Sequence, residues 1–233
     1  MRSRVSALFA ATLLACAGST PKDAAHVKHE GATTELLPRP SKPLVLRTND
    51  TLADLVDAFS DATGIPVLAD ADARRVLQIT KLELGAPREL APAEVYPFVE
   101  TVLVQNECAL TIPSARAPRI LRIVTPRGLG ADRYRTLAGP IDVEPAELDR
   151  WAATHPALPL RMLLRVEHGD VGSIVDALKG EISDGITQSV TRLGSSRFVI
   201  LFGFAPWLRA QRDLLARIDV RSQAVCSTDS PQR

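Results

Sequence analysis

Nucleophiles, general bases and metal ligands are sparse in this chain, which holds four histidines and three cysteines in 233 residues. His26 and His29 lie three apart in a polar, proline-bearing segment. Two imidazoles fall short of the three or four fixed ligands of a firm metal site, so the pair reads as solvated linker residues. His155 has no sequence partner that suggests catalysis. His168 is flanked by Glu167 and Asp170, but no serine or cysteine stands beside it in a nucleophile-elbow setting. It reads as a turn residue ahead of a helix cap. No catalytic constellation can be assembled, so neither enzymatic activity nor a cofactor or metal is expected. Cys108 sits in an apolar strand pattern and Cys226 in a polar tail. The two could pair in an oxidising compartment, or Cys108 could remain a buried free thiol, the state its apolar setting favours.

Cys16 has a different setting. Arg2 and Arg4 precede an uncharged run from Val5 to Ala15. That run is too short to span a bilayer, which takes about 20 residues, and fits a secretory signal peptide. It ends in Leu13-Leu14-Ala15-Cys16, which resembles the lipobox of bacterial lipoproteins, although Leu14 is a less usual residue at its place. The resemblance implies cleavage after Ala15, giving a signal peptide at 1–15, and a lipid on Cys16. The alternative is ordinary cleavage near the Ala-Cys-Ala-Gly stretch, leaving a soluble periplasmic protein. Ala17 is not the aspartate that marks inner-membrane retention in some bacteria, so the expected location is the periplasm, lipid-anchored to the outer membrane.

Composition bounds the partners. The apolar fraction of 45% and charged fraction of 24% are ordinary for a globular chain. Net charge is +1, and removing Arg2 and Arg4 leaves 26 basic against 27 acidic residues. A neutral chain has no electrostatic reason to seek a polyanion. Aromatics make up only 4%, so the cores must rest on Leu, Val, Ile and Ala.

The elements that would position these residues begin after a tether. Residues 16–42 carry the expected lipid anchor and then a polar run with no apolar period, too poor in apolar side chains to fold. Fully extended, such a tether reaches roughly 85 Å. Residues 43–124 then read as strand, helix, strand, strand, helix, strand, strand. Leu44 to Leu46 is extended, and Thr51 opens a helix whose apolar face is Leu52, Leu55, Val56 and Phe59, stopped at Gly64. Ile65 to Leu68 is a strand, with Pro66 placing it at a start or an edge. Val76, Ile79, Leu82 and Leu84 suggest a further extended stretch. A second helix carries Val95, Phe98, Val99, Val102 and Leu103. Pro97 implies that this helix starts late, near Val95, or is kinked. Cys108 to Ile112 and Ile120 to Val124 form a hairpin.

Residues 125–159 are less regular and read as a connector with a short helix from about Ala146 to Ala153, pinned by Leu148 and Trp151. Residues 160–220 read as strand, helix, strand, strand, helix. Asp170 caps the first helix, Gly194-Ser195-Ser196 turns the hairpin, and Pro206 lies in the first turn of the last helix. Residues 221–233 are polar and expected to be disordered. The fold class is α+β: two small α/β modules, βαββαββ-like and KH-like βαββα, joined by a connector.

The order and spacing of these patterns resemble a known arrangement. Residues 43–124 resemble the secretin and TonB short amino-terminal domain, through Thr51-Leu52-Ala53-Asp54-Leu55-Val56, Thr63-Gly64-Ile65-Pro66-Val67-Leu68 and Leu82-Glu83-Leu84. Residues 160–220 resemble the next amino-terminal domain of secretins. The match runs through Glu167-His168-Gly169-Asp170-Val171, Asp176-Ala177-Leu178, Arg197 to Gly203 and Leu214-Leu215-Ala216-Arg217-Ile218-Asp219. Secretins are outer-membrane channels whose small periplasmic domains stack into rings and contact inner-membrane components. The resemblance implies a non-enzymatic, protein-binding role in a type II secretion or type IV pilus-like system. The implied partners are the secretin channel or its inner-membrane platform, and further copies of the chain in a homo-oligomeric ring. Only 13 residues follow Val220, too few for a pore, so the expectation is an accessory subunit rather than the channel. The same short domain occurs in TonB-dependent transducers, where it touches a periplasmic regulator, and that signalling role is the alternative. The second secretin domain shares topology with KH-type RNA binders, and Gly169-Asp170-Val171-Gly172 spells their Gly-x-x-Gly. Here the tetrapeptide follows a strand and carries an acidic residue that would repel phosphate, so nucleic acid is not an expected partner.

Overall fold

A computed structural model describes residues 37–114 and 119–220. The expected signal peptide, Cys16, His26, His29 and the tail with Cys226 lie outside the described residues.

The first strand, β1 (Leu44–Leu46), alternates buried, exposed, buried, and pairs antiparallel with β3 (Arg88–Leu90). Helix α1 (Leu52–Thr63) starts where the sequence places it. The Asp54 amide donates to Thr51 Oγ1 at 3.2 Å, and Asp54 Oδ2 accepts the Thr51 amide at 2.7 Å, a complete capping box. Its buried face is Leu52, Leu55, Val56 and Phe59. Gly64 closes it at φ +68°, a left-handed conformation that a Cβ disfavours.

Strand β2 spans Val67–Ala69, shifted from the expected Ile65 to Leu68. It pairs parallel with β5 (Ile120–Val124), which also pairs antiparallel with β4 (Ala109–Ser114), giving the order β2-β5-β4. Between β2 and β3 the structure corrects the expected extended stretch. Ala71–Ile79 is a helix, α2, so the first module runs βαβαβαββ rather than βαββαββ. Asp70 accepts the Ala73 amide at 2.8 Å and caps it, and its buried stripe is only Ala73 and Leu77, at i,i+4. Of the residues that suggested alternation with Leu82 and Leu84, Val76 packs half-buried on the core and Ile79 is exposed. Leu82-Glu83-Leu84 forms no strand.

Helix α3 (Pro92–Gln105) begins at Pro92, which lacks an amide that would have had no partner in the first turn. It continues through Pro97, so the later start suggested by that proline does not occur. Glu94 accepts the Ala91 amide at 2.9 Å.

Residues 125–159 carry more regular structure than their composition suggests. They hold α4 (Pro126–Leu129), α5 (Ala131–Leu137), β6 (Ile141–Val143), one 3-10 turn and α6 (Leu148–Thr154). The expected helix near 146–153 corresponds to α6. Strand β6 extends the last sheet, whose order is β6-β7-β9-β8, with β7 at Leu160–Arg165, β8 at Ser189–Arg192 and β9 at Phe198–Gly203. Helices α7 (Val171–Gly180) and α8 (Ala205–Ile218) complete the βαββα order read from the sequence. The chain is α+β.

One continuous apolar core takes residues from both ends of the described chain, from Leu44 and Phe59 to Leu201 and Leu208. A second, smaller core joins Ala109 and Val124 to Tyr134, Ala138 and Phe202. Helix α5 thus sits between the β4–β5 hairpin and β9.

Candidate interaction surfaces and a buried joint

The histidines expected to be inert lie in distinct settings. At the start of α7, Asp170 accepts the Ser173 amide at 2.8 Å and the Ser173 hydroxyl at 3.0 Å. That fixes Gly169 to Gly172 as a strand-to-helix turn. Upstream, Asp219 collects three consecutive amides: Glu167 at 2.5 Å, His168 at 2.9 Å and Gly169 at 2.7 Å. Burial raises the Asp219 pKa, but these donors and the nearby His168 charge outweigh it and hold the carboxyl below its usual range. His168 is therefore a turn residue tied through its backbone to the end of α8.

His155, which no sequence pattern marked, meets a fully buried carboxylate. Its Nδ1 lies 2.8 Å from Oε1 of Glu100, whose side chain is 0% exposed. The other Glu100 oxygen accepts the Ala157 amide at 2.9 Å. Tyr96, one turn before Glu100, meets the His155 ring edge-on at 4.8 Å between centroids, and Trp151 lies against its other side at 5.4 Å. Tyr96 also packs on Phe59 and donates its hydroxyl to the Pro38 carbonyl at 3.0 Å. The joint therefore bolts α3 to the end of α6. Trp151 is part of this packing rather than an open platform. The one sequence signal at Glu100 is that it is the single charged residue between Val95 and Leu103, i,i+4 from Tyr96, which does not by itself separate a buried glutamate from a solvent-facing one.

Cys108 is buried at the end of α3, and its thiol is pushed up to about 11 by burial first, then by the Asp70 and Glu107 carboxylates. A shallow recess of about 270 Å³ nearby is lined by Cys108, Glu107, Arg127, Asp184, Gln188 and Phe204, among others. Its charged groups are engaged: Arg127 binds Glu107 at 2.8 Å, and Asp184 binds the Ile186 amide and the Thr187 hydroxyl. Among the described residues, no group of three or more His, Cys, Asp or Glu could hold a metal ion. No helix among them is long and apolar enough to cross a membrane.

What the structure presents outward is sheet edge. Strand β2 ends its sheet with Leu68 56% exposed, and β1 belongs to a two-stranded sheet with Val45 58% exposed. On the outer face of the last sheet, Leu163 is exposed beside Ile200. An edge strand carries unpaired amides and carbonyls that another chain can satisfy.

With these surfaces defined, the backbone can be set beside known proteins. A Klebsiella pneumoniae type II secretion outer-membrane complex of PulD, PulS and the PulC HR domain contains a chain that superposes with TM-score 0.55 at 14% identity, over 74% of this chain. In fold, this chain is therefore similar to a part of that chain. This chain spans 26% of that chain's length. The amino-terminal domain of the secretin XcpQ from Pseudomonas aeruginosa matches over 77% of this chain and 65% of its own, at 12% identity. A chain of the enterotoxigenic Escherichia coli GspC–GspD complex matches over 76% and 98%, at 11% identity. Both superpose at TM-score 0.25 and add nothing to the fold assignment. No family model matches the sequence, and no curated protein matches it.

Proposed function

We propose that this chain is a non-enzymatic, protein-binding component of a type II secretion or type IV pilus-like system, held in the periplasm by a lipid on Cys16. The observation that carries the reading is the secretin-like backbone, which superposes at TM-score 0.55 on a chain from a type II secretion outer-membrane complex. The chemistry agrees with it. His155 is engaged by a carboxylate, His168 is tied into a turn, and the Cys108 thiol is held protonated. Exposed edges at β1 and β2 offer backbone groups to a partner, and strand addition supplies affinity through main-chain hydrogen bonds.

In this reading residues 43–124 and 160–220 are the two interaction modules, and 125–159 sets their spacing. Residues 16–42 are the tether, whose last residues dock on the folded part through buried Leu37 and the Pro38 carbonyl, and the anchor lies in the outer membrane. Partners are the secretin channel or its inner-membrane platform, and copies of the chain assemble into a ring.

Crosslinking in cells, followed by mass spectrometry on the tagged full-length protein, tests the proposal. Crosslinks to a secretin or its inner-membrane platform are expected. Crosslinks confined to an anti-sigma-type regulator would replace it with the signalling role of TonB-dependent transducers. Loss of membrane fractionation in Cys16→Ser tests the anchor separately. Analytical ultracentrifugation tests the ring, which a strict monomer at every concentration would exclude.

A further inference from the structure

Glu100 is the one ionisable side chain among the buried polar residues described, in the company of threonines and a glutamine. A buried ion pair contributes little to stability compared with an apolar replacement of similar volume, and its best-attested use is in specificity or switching. Its position fits that use. Helix α3 belongs to the first half of the chain, whereas α6 packs against both α3 and α8. The joint is a buried polar contact between α3 and the end of α6.

We propose that the Glu100–His155 pair is a proton-dependent latch that sets how firmly α6, and the second half of the chain with it, is held against α3. With one proton in the pair, either a cationic imidazole faces a carboxylate or both groups are neutral. In both forms the joint has no net charge. When that proton leaves to solvent, the joint holds one negative charge. Among the described residues, His155 is the one cation that acts on Glu100, and the packing around the pair is the Tyr96 phenol of α3, the Phe59 ring of α1 behind it and the Trp151 indole of α6. The Arg150 guanidinium lies behind that indole, 6.0 Å from the ring centre. Charge left in a dry joint is expensive, so the contact loosens.

The direction is set by Glu100. Burial raises its pKa most, against the hydrogen bond and charge of His155 and the amides of Ala157 and Leu158, and the net change is upward. Folded Glu100 holds its proton more tightly than the unfolded chain does. Its contribution is full below the ordinary carboxylate range and is lost as pH rises through the raised value.

Hydrogen exchange on the full chain, corrected for intrinsic rates and run from about pH 5 to about pH 9, tests the latch. Protection at the Ala157 and Leu158 amides should fall as pH rises, in the direction set by the raised Glu100 value. Protection in β7 and β9 should hold constant, and Glu100→Gln should remove the dependence at the joint. Constant protection at the joint in the wild type, or an equal slope in Glu100→Gln, would overturn the proposal. Should that variant fail to fold, the wild type alone decides. The carboxyl shift of Glu100, followed by NMR, must move over the same pH range as the protection, and a separate range refutes the latch.

Discussion

At Cys108 the surroundings determine the reactivity of the side chain. The thiolate is the nucleophile, and burial with two neighbouring carboxylates pushes the thiol up to about 11. Native protein near pH 8 should therefore alkylate at Cys108 on the order of a hundredfold more slowly than the urea-unfolded chain, read by peptide mapping. Equal rates would show that the thiol is open to solvent. Tyr134 makes a second residue-scale case. Its ring is fully buried against Phe202, yet its hydroxyl has no hydrogen-bond partner among the described residues. Tyr134→Phe should leave the denaturation midpoint unchanged or raise stability by about 1 kcal/mol, whereas Tyr134→Ala should remove about 3–5 kcal/mol. A clear loss in Tyr134→Phe would mean that the hydroxyl is bonded after all. Legibility at this scale follows local chemistry. Thr51 with Asp54, and Asp170 before α7, were readable because a cap is satisfied within three residues. Glu100 was not, because a glutamate reads as solvent-facing until its partner, 55 residues away, is known.

Among the elements, the sequence speaks most clearly where an apolar stripe is wide. Helices α1, α7 and α8 carry enough buried side chains to show a helical period, and β9 is an apolar run flanked by a turn. Helix α2 buries only Ala73 and Leu77, so its period was lost among Val76, Ile79, Leu82 and Leu84. Strand β6 is three residues long and takes its identity from pairing with β7, a contact invisible in local sequence. Tertiary context overrides weak local signal in both. Gly139 tests the packing of α5 on β4. It has φ +56°, and a Cβ there would stand 2.5 Å from the Ile112 carbonyl oxygen, a backbone atom that cannot swing aside. Gly139→Ala should destabilise by about 3 kcal/mol, combining left-handed strain with overpacking. An unchanged urea midpoint would show that the 138–140 turn moves freely from β4.

For the molecule as a whole, a continuous apolar core makes one body of what the sequence presents as separate modules, and two further contacts tie it. On one side the small core around Tyr134 and Phe202 joins the β4–β5 hairpin to the last sheet. On the other, Glu100 and His155 join α3 to α6. The βαββα order of the last module was legible in the chain, but these cross-ties were not, since each links residues more than fifty apart or passes through the short helices of 125–159. The proposed function places binding at its outer edges. The most direct measurement is a photo-crosslinking amino acid placed in living cells at Val45 and at Leu68, with Arg74 on α2 as the control position. The account predicts discrete adducts from the two edge positions, containing secretion-system proteins or a second copy of this chain, and none from Arg74. No adduct at either edge, or the same diffuse pattern from all three positions, would contradict it.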